Sequence, residues 1–375
     1  MTEDPDLSVD AGLATRMAER RSRCRGFVAD AGLDAVLVSD LADLRYLCGF
    51  RGEDAMLVVG RDTAFICTDS RYWAQVHEEV VGVELVKMAE GDLVAETAAA
   101  VAARVGLAAA LGFQGTDLSH ADYLRLRRRH RGRLRDVRRR LSRLRVIKDA
   151  CEITLMRRAA AITDEAVGAV ASQGLVGRSE EEVAWALLTE YRRLGAEGEA
   201  FPAIVAAGDH GAQGHALPGA RVIAAGELVV IDTGARLQGY CSDITRTFAA
   251  GEPSAALREL YAVVLEAQQA GIAAVRDGAH GRDDVDAACR GVITSAGHGD
   301  AFGHGTGHGV GLEVHEAPSL GGRRGDVLRA GMVCTVEPGI YLEGFAGVRI
   351  EDTVLVTKAG CERLTAHPRD LLIVD

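Results

Sequence analysis

Fourteen residues, Gly303-His304-Gly305-Thr306-Gly307-His308-Gly309-Val310-Gly311-Leu312-Glu313-Val314-His315-Glu316, restrict what this chain can fold into more than any other stretch. Five of them are glycine and three are histidine. Imidazole titrates near neutral pH and is the commonest protein ligand for metals. Glycine lets a backbone approach a ligand closely or adopt positive φ. A stretch combining the two fills a core poorly and lines a site well. A flexible glycine loop with chance histidines is the plain alternative, and the acids elsewhere in the chain weigh against it.

Four other segments set carboxylates in apolar surroundings. Val229-Val230-Ile231-Asp232 ends an apolar run in an acid, and Asp243 follows eleven residues later in Gly239-Tyr240-Cys241-Ser242-Asp243-Ile244. Cys334-Thr335-Val336-Glu337 ends another apolar run, and Glu351 follows after fourteen residues in Val348-Arg349-Ile350-Glu351. A buried acid is expensive unless it is paired, hydrogen-bonded or bound to metal. One such acid is usually a structural ion pair; four of them with a glycine-flanked histidine call for a shared cation. The donors are mostly hard oxygens. They suit Mn2+, Co2+, Fe2+ or Zn2+ with oxygen bridges better than a structural zinc site, which favours thiolates. Because carboxylates can bridge, such a set can hold two metals about 3.5–4 Å apart, which together acidify a bridging water and polarise a carbonyl. That is the chemistry of peptide-bond hydrolysis.

With 375 residues the chain exceeds the size at which single cores stop growing, so two domains are expected. Apolar periodicity predicts a helix over 13–33, strands at 35–38, 44–47, 56–59 and 64–67, a strand near 83–88, a helix near 91–105, a strand at 110–113 and a helix from about 119. Alternation of this kind indicates an α/β domain. At Lys148-Asp149-Ala150 the pattern changes. Helices are expected at 150–171 and from Ser179 to about 194, strands at 203–206, 228–233 and 239–248, helices at 254–276 and 282–297, and strands at 332–337 and 348–356. The helix-pair, strand-pair order occurs twice, which hints at an internal duplication.

Between about 150 and 360 the chain resembles the creatinase/aminopeptidase, or pita-bread, metallopeptidases of family M24. The matching blocks are VVIDTGA, GYCSDITRTF, HGTGHGVGLEVHE, TVEPGIY and GVRIEDT, in the family order. AGLDAVLVSDLADLRYLCGF and TDSRYW resemble the N-terminal domain of the prolyl branch. The resemblance implies an N-terminal creatinase-like α/β domain, residues 1–147, and a C-terminal pita-bread α+β catalytic domain, residues 148–375. It also implies that Asp232, Asp243, His308, Glu337 and Glu351 are the metal ligands, with Asp243 and Glu351 bridging. Two divalent ions would be bound, Mn2+ first, with Co2+, Zn2+ or Fe2+ as alternatives. His215, His304 and His315 would face the substrate, and Glu337 would take a proton from the attacking water. Arg349 would orient a ligand carboxylate or meet a substrate carboxylate. Tyr240 and Arg246 read as supports of Asp243, and His210, His280 and His298 as ordinary surface or core histidines. The neighbourhood of His215 departs from the family: His210-Gly211-Ala212-Gln213-Gly214 stands where Asn-Ser-Ala-Leu-Pro is usual.

The activity so implied is that of an Xaa-Pro aminopeptidase acting on proline-containing peptides. An Xaa-Pro dipeptidase, or prolidase, is the near alternative, and a non-catalytic pita-bread binding module the remote one. The resemblance also suggests a homodimer, with Arg71 and Tyr72 reaching a neighbouring subunit's pocket. Twelve arginines between 125 and 145 form a basic run. The formal net charge of −11 and the absence of interleaved aromatics argue against nucleic acid as a partner. No apolar run reaches membrane-spanning length, the N-terminus lacks the pattern of a signal peptide, and eight scattered cysteines suit buried thiols in the cytoplasm.

Overall fold

The computed structural model describes residues 5–89, 91–321 and 325–375. The chain divides into two compact units, Met1–Arg145 and Val146–Asp375.

In the first unit the apolar runs become a six-stranded sheet. Its order is Glu84–Lys87, Ala64–Thr68, Met56–Gly60, Ala35–Val38, Leu111–Phe113, Leu134–Asp136. Ala35–Val38 is wholly buried, antiparallel to Met56–Gly60 and parallel to Leu111–Phe113. Helices Leu93–Arg104 and His120–Arg129 start where Asp92 and Ser119 accept hydrogen bonds from their first-turn amides. The segment 44–47, expected as a strand, lies instead in helix Leu41–Cys48. Asp40 caps it by accepting from the Asp43 amide, and Gly49 ends it at φ +86°. The helix expected over 13–33 starts earlier and spans Pro5–Asp30. The arginine run is spread over helix His120–Arg129, the edge strand Leu134–Asp136, the short helix Arg138–Leu141 and the segments that join them. Charge on an exposed edge discourages pairing with other chains. Arg145 is the exception: it is buried against Asp43 at 2.7 Å.

The second unit is built twice over. Helices Ala150–Ala171 and Glu180–Arg193 open on full capping boxes, Asp149 with Glu152 and Ser179 with Glu182. Their apolar faces, including Val167, Val170, Leu187 and Tyr191, pack with Val229, Ile231 and Phe248 of a four-stranded sheet. That sheet runs Ile373–Val374, Ile244–Ala250, Glu227–Thr233, Ile204–Ala207. Helices Ala255–Ala274 and Ala287–Ser295 pack in the same way on a five-stranded sheet. Its order is Glu316–Ser319, His308–Gly309, Val333–Val336, Asp352–Val356, Cys361–Arg363. A hairpin of Gly339–Leu342 and Ala346–Arg349 completes the unit. Two strands expected as continuous are broken. The 239–248 segment divides into Tyr240–Cys241 and Ile244–Ala250, and 348–356 into Ala346–Arg349 and Asp352–Val356. Asp243 and Glu351 stand in the two breaks.

All eight cysteines are unpaired thiols, and six are buried. Burial pushes Cys24, Cys289 and Cys334 up to about 12, and Cys48, Cys67 and Cys241 up to about 11.

Candidate active site

The glycine-histidine stretch is held in place by backbone contacts that only glycine permits. A Cβ on Gly307 would lie 2.1 Å from the Thr335 carbonyl oxygen, and one on Gly309 would lie 2.2 Å from that of Ala317. Asp286 accepts from both the amide and the hydroxyl of Thr306, and Arg290, paired with Asp286, donates to the His304 carbonyl. The loop is thereby fastened to strand Val333–Val336 and to the turn of π-helix Gly281–Asp286.

Asp232, Asp243, His304, His308, His315, Glu337, Arg349 and Glu351 all line one cavity of about 870 Å3, together with His215 and Tyr341. Every site residue expected from the sequence is thus brought to one place. Among the described residues, Asp243, His308 and Glu351 form the group close enough to share a cation, each offering a ligand atom within 4.8 Å of the others. Glu337 Oε1 is 3.3 Å from His308 Nε2, and Asp243 Oδ2 is 3.7 Å from it. His308 Nδ1 donates to the Gly309 carbonyl at 3.1 Å, which leaves Nε2 turned to the carboxylates.

The electrostatics are those of a site short of positive charge. Burial, then the charge of Glu351, pushes Asp243 well above the usual carboxylate range; burial, then Glu337 and Asp232, does the same to Glu351. Burial raises Asp232 too, against the opposing pull of Arg349. Asp232 Oδ2 accepts from Arg349 at 2.6 Å, while its buried Oδ1 has no hydrogen-bond partner. Burial also acts on Glu337, but the hydrogen bond and charge of His308 hold it below its ordinary value. The orphan oxygen, the raised acids and the His308 tautomer all fit a cation-binding role. Asp243, His308 and Glu351 are the described residues placed to hold a divalent cation.

Three neutral hydroxyls that sequence reasoning passed over organise this set. Thr245 donates to Glu351 Oε2 at 2.7 Å and accepts from Arg349 Nε at 3.1 Å. Thr335 accepts from the His308 amide and donates to Glu337 Oε1, both at 3.0 Å. Tyr341, inside the block TVEPGIY, accepts from Arg349 Nη1 and donates to His304 Nε2, both at 2.8 Å. His304 Nδ1 in turn donates to the Gly305 carbonyl at 2.9 Å, so both of its ring nitrogens are engaged. Burial pushes His304 below its ordinary value. His215 and His315 are different: both are exposed in the cavity, with no hydrogen bond among the described residues. The His315 ring lies 4.2 Å from that of His308, and burial followed by the His308 charge lowers its pKa.

Tyr240 donates to Glu152. Arg246 pairs with buried Asp352 and donates to the carbonyls of Thr245 and Glu351.

Residues 154–358 match the family model of metallopeptidase family M24, and residues 20–147 match that of the creatinase/prolidase N-terminal domain. An Xaa-Pro dipeptidase of Pyrococcus horikoshii is 43% identical over 229 residues, 61% of this chain and 65% of that one. The solved structure of an Xaa-Pro dipeptidase from Bacillus anthracis superposes with a TM-score of 0.91 at 39% identity, covering 96% of this chain and 100% of that one. An X-Pro aminopeptidase from Thermotoga maritima MSB8 superposes with a TM-score of 0.85 at 34% identity, covering 92% and 98%.

Proposed function

The chain belongs to metallopeptidase family M24 and is a metal-dependent peptidase, and from that premise we propose that it hydrolyses Xaa-Pro dipeptides. The observation that carries the reading is the convergence of Asp243, His308 and Glu351 within 4.8 Å in the wall of the cavity. The choice of dipeptidase revises the aminopeptidase expected from the sequence. It is supported by the Bacillus anthracis dipeptidase, which is more alike in both sequence and structure than the Thermotoga aminopeptidase.

In this reading Asp232, Asp243, His308, Glu337 and Glu351 would hold two divalent ions, Mn2+ being our choice. When bound, such a pair lowers the pKa of water and polarises a carbonyl. The chain's own residues do the rest. Glu337, which lines the cavity beside His308, accepts the proton of the attacking water. His315, neutral and free of other bonds, offers a hydrogen bond to the oxygen that gains charge as the scissile carbonyl becomes tetrahedral. Arg349 is committed to Asp232 and Tyr341, so it orients a ligand carboxylate rather than meeting the substrate. His304, engaged through both nitrogens, completes that frame. His215 is left to contact the substrate. A cytoplasmic location belongs to the proposal, supported by eight unpaired cysteines. So does the homodimer expected from the resemblance.

Metal-stripped protein given Mn2+ and offered Ala-Pro beside Ala-Pro-Ala tests the activity. Cleavage of Ala-Pro alone is the expected result. Cleavage of the tripeptide after alanine would return the assignment to an aminopeptidase, and inertness toward both with metal bound would remove proline from the substrate.

A further inference from the structure

His210, an ordinary histidine by its sequence context, is joined to a carboxylate that the site chemistry does not use. Glu180 is completely buried at the start of helix Glu180–Arg193. Its Oε1 accepts from the Ala207 amide at 2.9 Å, and both of its oxygens lie 2.9 Å from His210 Nδ1. A fully buried carboxylate is tolerated only when hydrogen-bonded and faced by a donor or positive charge, so this pairing is a fixed point of the fold.

The fixed point lies on the segment that carries His215. His210 belongs to the turn Gly208–Ala212. Its carbonyl accepts from the Gln213 amide at 3.0 Å, and the Gln213 carbonyl accepts from the Ala216 amide at 3.0 Å. These two bonds bracket Gly214 and His215. The Gly214 carbonyl accepts from Arg349 Nη1 at 3.3 Å, and His215 stands in the cavity. On its other side the turn is pressed against the strand that bears Arg349: a Cβ on Gly347 would fall 1.8 Å from the Gly211 carbonyl oxygen. Arg221 braces the base of the turn, pairing with Asp209 at 3.2 Å and Glu227 at 2.7 Å, while its carbonyl accepts from the Glu180 amide at 3.0 Å.

We infer that the Glu180–His210 pair positions His215 and the Gly214 carbonyl at the substrate side of the cavity, making His210 a positioning residue for substrate binding. The inference rests on the peptidase reading for its consequence and on geometry alone for the clamp. Its chemistry also accounts for the departure from the family pattern at this position. An Asn side chain can donate one N–H to Glu180, as the imidazole does, so either residue can close the clamp; an apolar residue cannot.

The test compares H210A, H210N and E180Q with the unaltered protein by two measurements. The first is amide hydrogen exchange on metal-free protein. In H210A the amides of Ala207, Gln213 and Ala216 are expected to exchange about tenfold faster or more, the equivalent of losing one hydrogen bond to a charged group. H210N, which keeps a donor toward Glu180, stays near the parent, and E180Q, which keeps an acceptor but not its charge, falls between the parent and H210A. The second is Ala-Pro hydrolysis with Mn2+. H210A is expected to lose about 10- to 100-fold in kcat/KM, mainly through a raised KM, with H210N recovering most of the loss. Unchanged exchange in H210A, or a fall confined to kcat that H210N does not rescue, overturns the inference. If the unaltered protein cleaves neither Ala-Pro nor Ala-Pro-Ala, the substrate reading fails while the exchange data still decide the clamp.

Discussion

Thr245 shows how much of the site rests on an uncharged side chain. Its hydroxyl joins Glu351 to Arg349, and Arg349 joins Asp232 to Tyr341, so one oxygen links the two halves of the ligand set. Groups that orient metal ligands typically matter by about 10–100-fold in metal affinity or activity, and T245A is expected to fall in that range while T245S stays near the parent. Metal content per chain and kcat/KM on Ala-Pro check this; a T245A protein that holds its metal normally would refute it. The four carboxylates and His308 were legible in the sequence because each is an anomaly: an acid ending an apolar run, or an imidazole among glycines. Thr245, Thr335 and Tyr341 were not. Threonine and tyrosine are favoured in strands whatever their role, so nothing in their local context marks them. Nor does the sequence reveal that Tyr341 joins Arg349 to His304, since that depends on three segments brought together by the fold.

At the level of elements, the long helices could be read from their caps and apolar periodicity, and most strands from their apolar runs. The errors have physical causes. Leu44–Leu47 reads as a short apolar strand, but the Asp40 cap and the left-handed Gly49 enclose it in a helix. The 239–248 and 348–356 runs read as single strands because their β-formers continue across Asp243 and Glu351. The strands are interrupted at both acids, which lie buried in the cavity wall, and no residue pattern announces such an interruption. The glycine-histidine loop is the element most open to a single test. G307A puts a methyl group against the Thr335 carbonyl, whose own hydroxyl anchors His308 and Glu337. The substitution is expected to destabilise the protein by about 1–3 kcal/mol through overpacking and to lower metal content along with it. Thermal unfolding and metal analysis on the same sample measure both, and a stable G307A with a full metal complement would contradict the packing argument.

For the whole molecule, the crowding of acids becomes a dependence of stability on pH. Asp232, Asp243 and Glu351 all have raised values in the folded chain, burial being the leading cause of each. Folded metal-free protein therefore keeps protons that the unfolded chain releases. The stability they contribute is full below the ordinary carboxylate range and is lost as pH rises through the raised values. Glu337, with its lowered value, acts in the opposite sense, losing its contribution as pH falls. Chelated D243N, which lacks one of the raised acids, is therefore expected to lose less stability between pH 5 and pH 8 than the chelated parent. Metal reverses the trend, because ligation needs the deprotonated acids and strengthens as pH rises. Melting curves at the two pH values, with and without chelator, check the sign. The unpaired thiols carry a consequence of another kind. Cys24, Cys48 and Cys67 lie buried in the first unit, and Cys241, Cys289 and Cys334 in the second. An alkylating reagent reaches such a sulfur only when the chain around it opens, and the raised pKa keeps it unreactive until then. The protein thus carries a native set of stopwatches: the order in which Cys67 and Cys334 take up label times the breathing of one unit against the other, with no probe introduced.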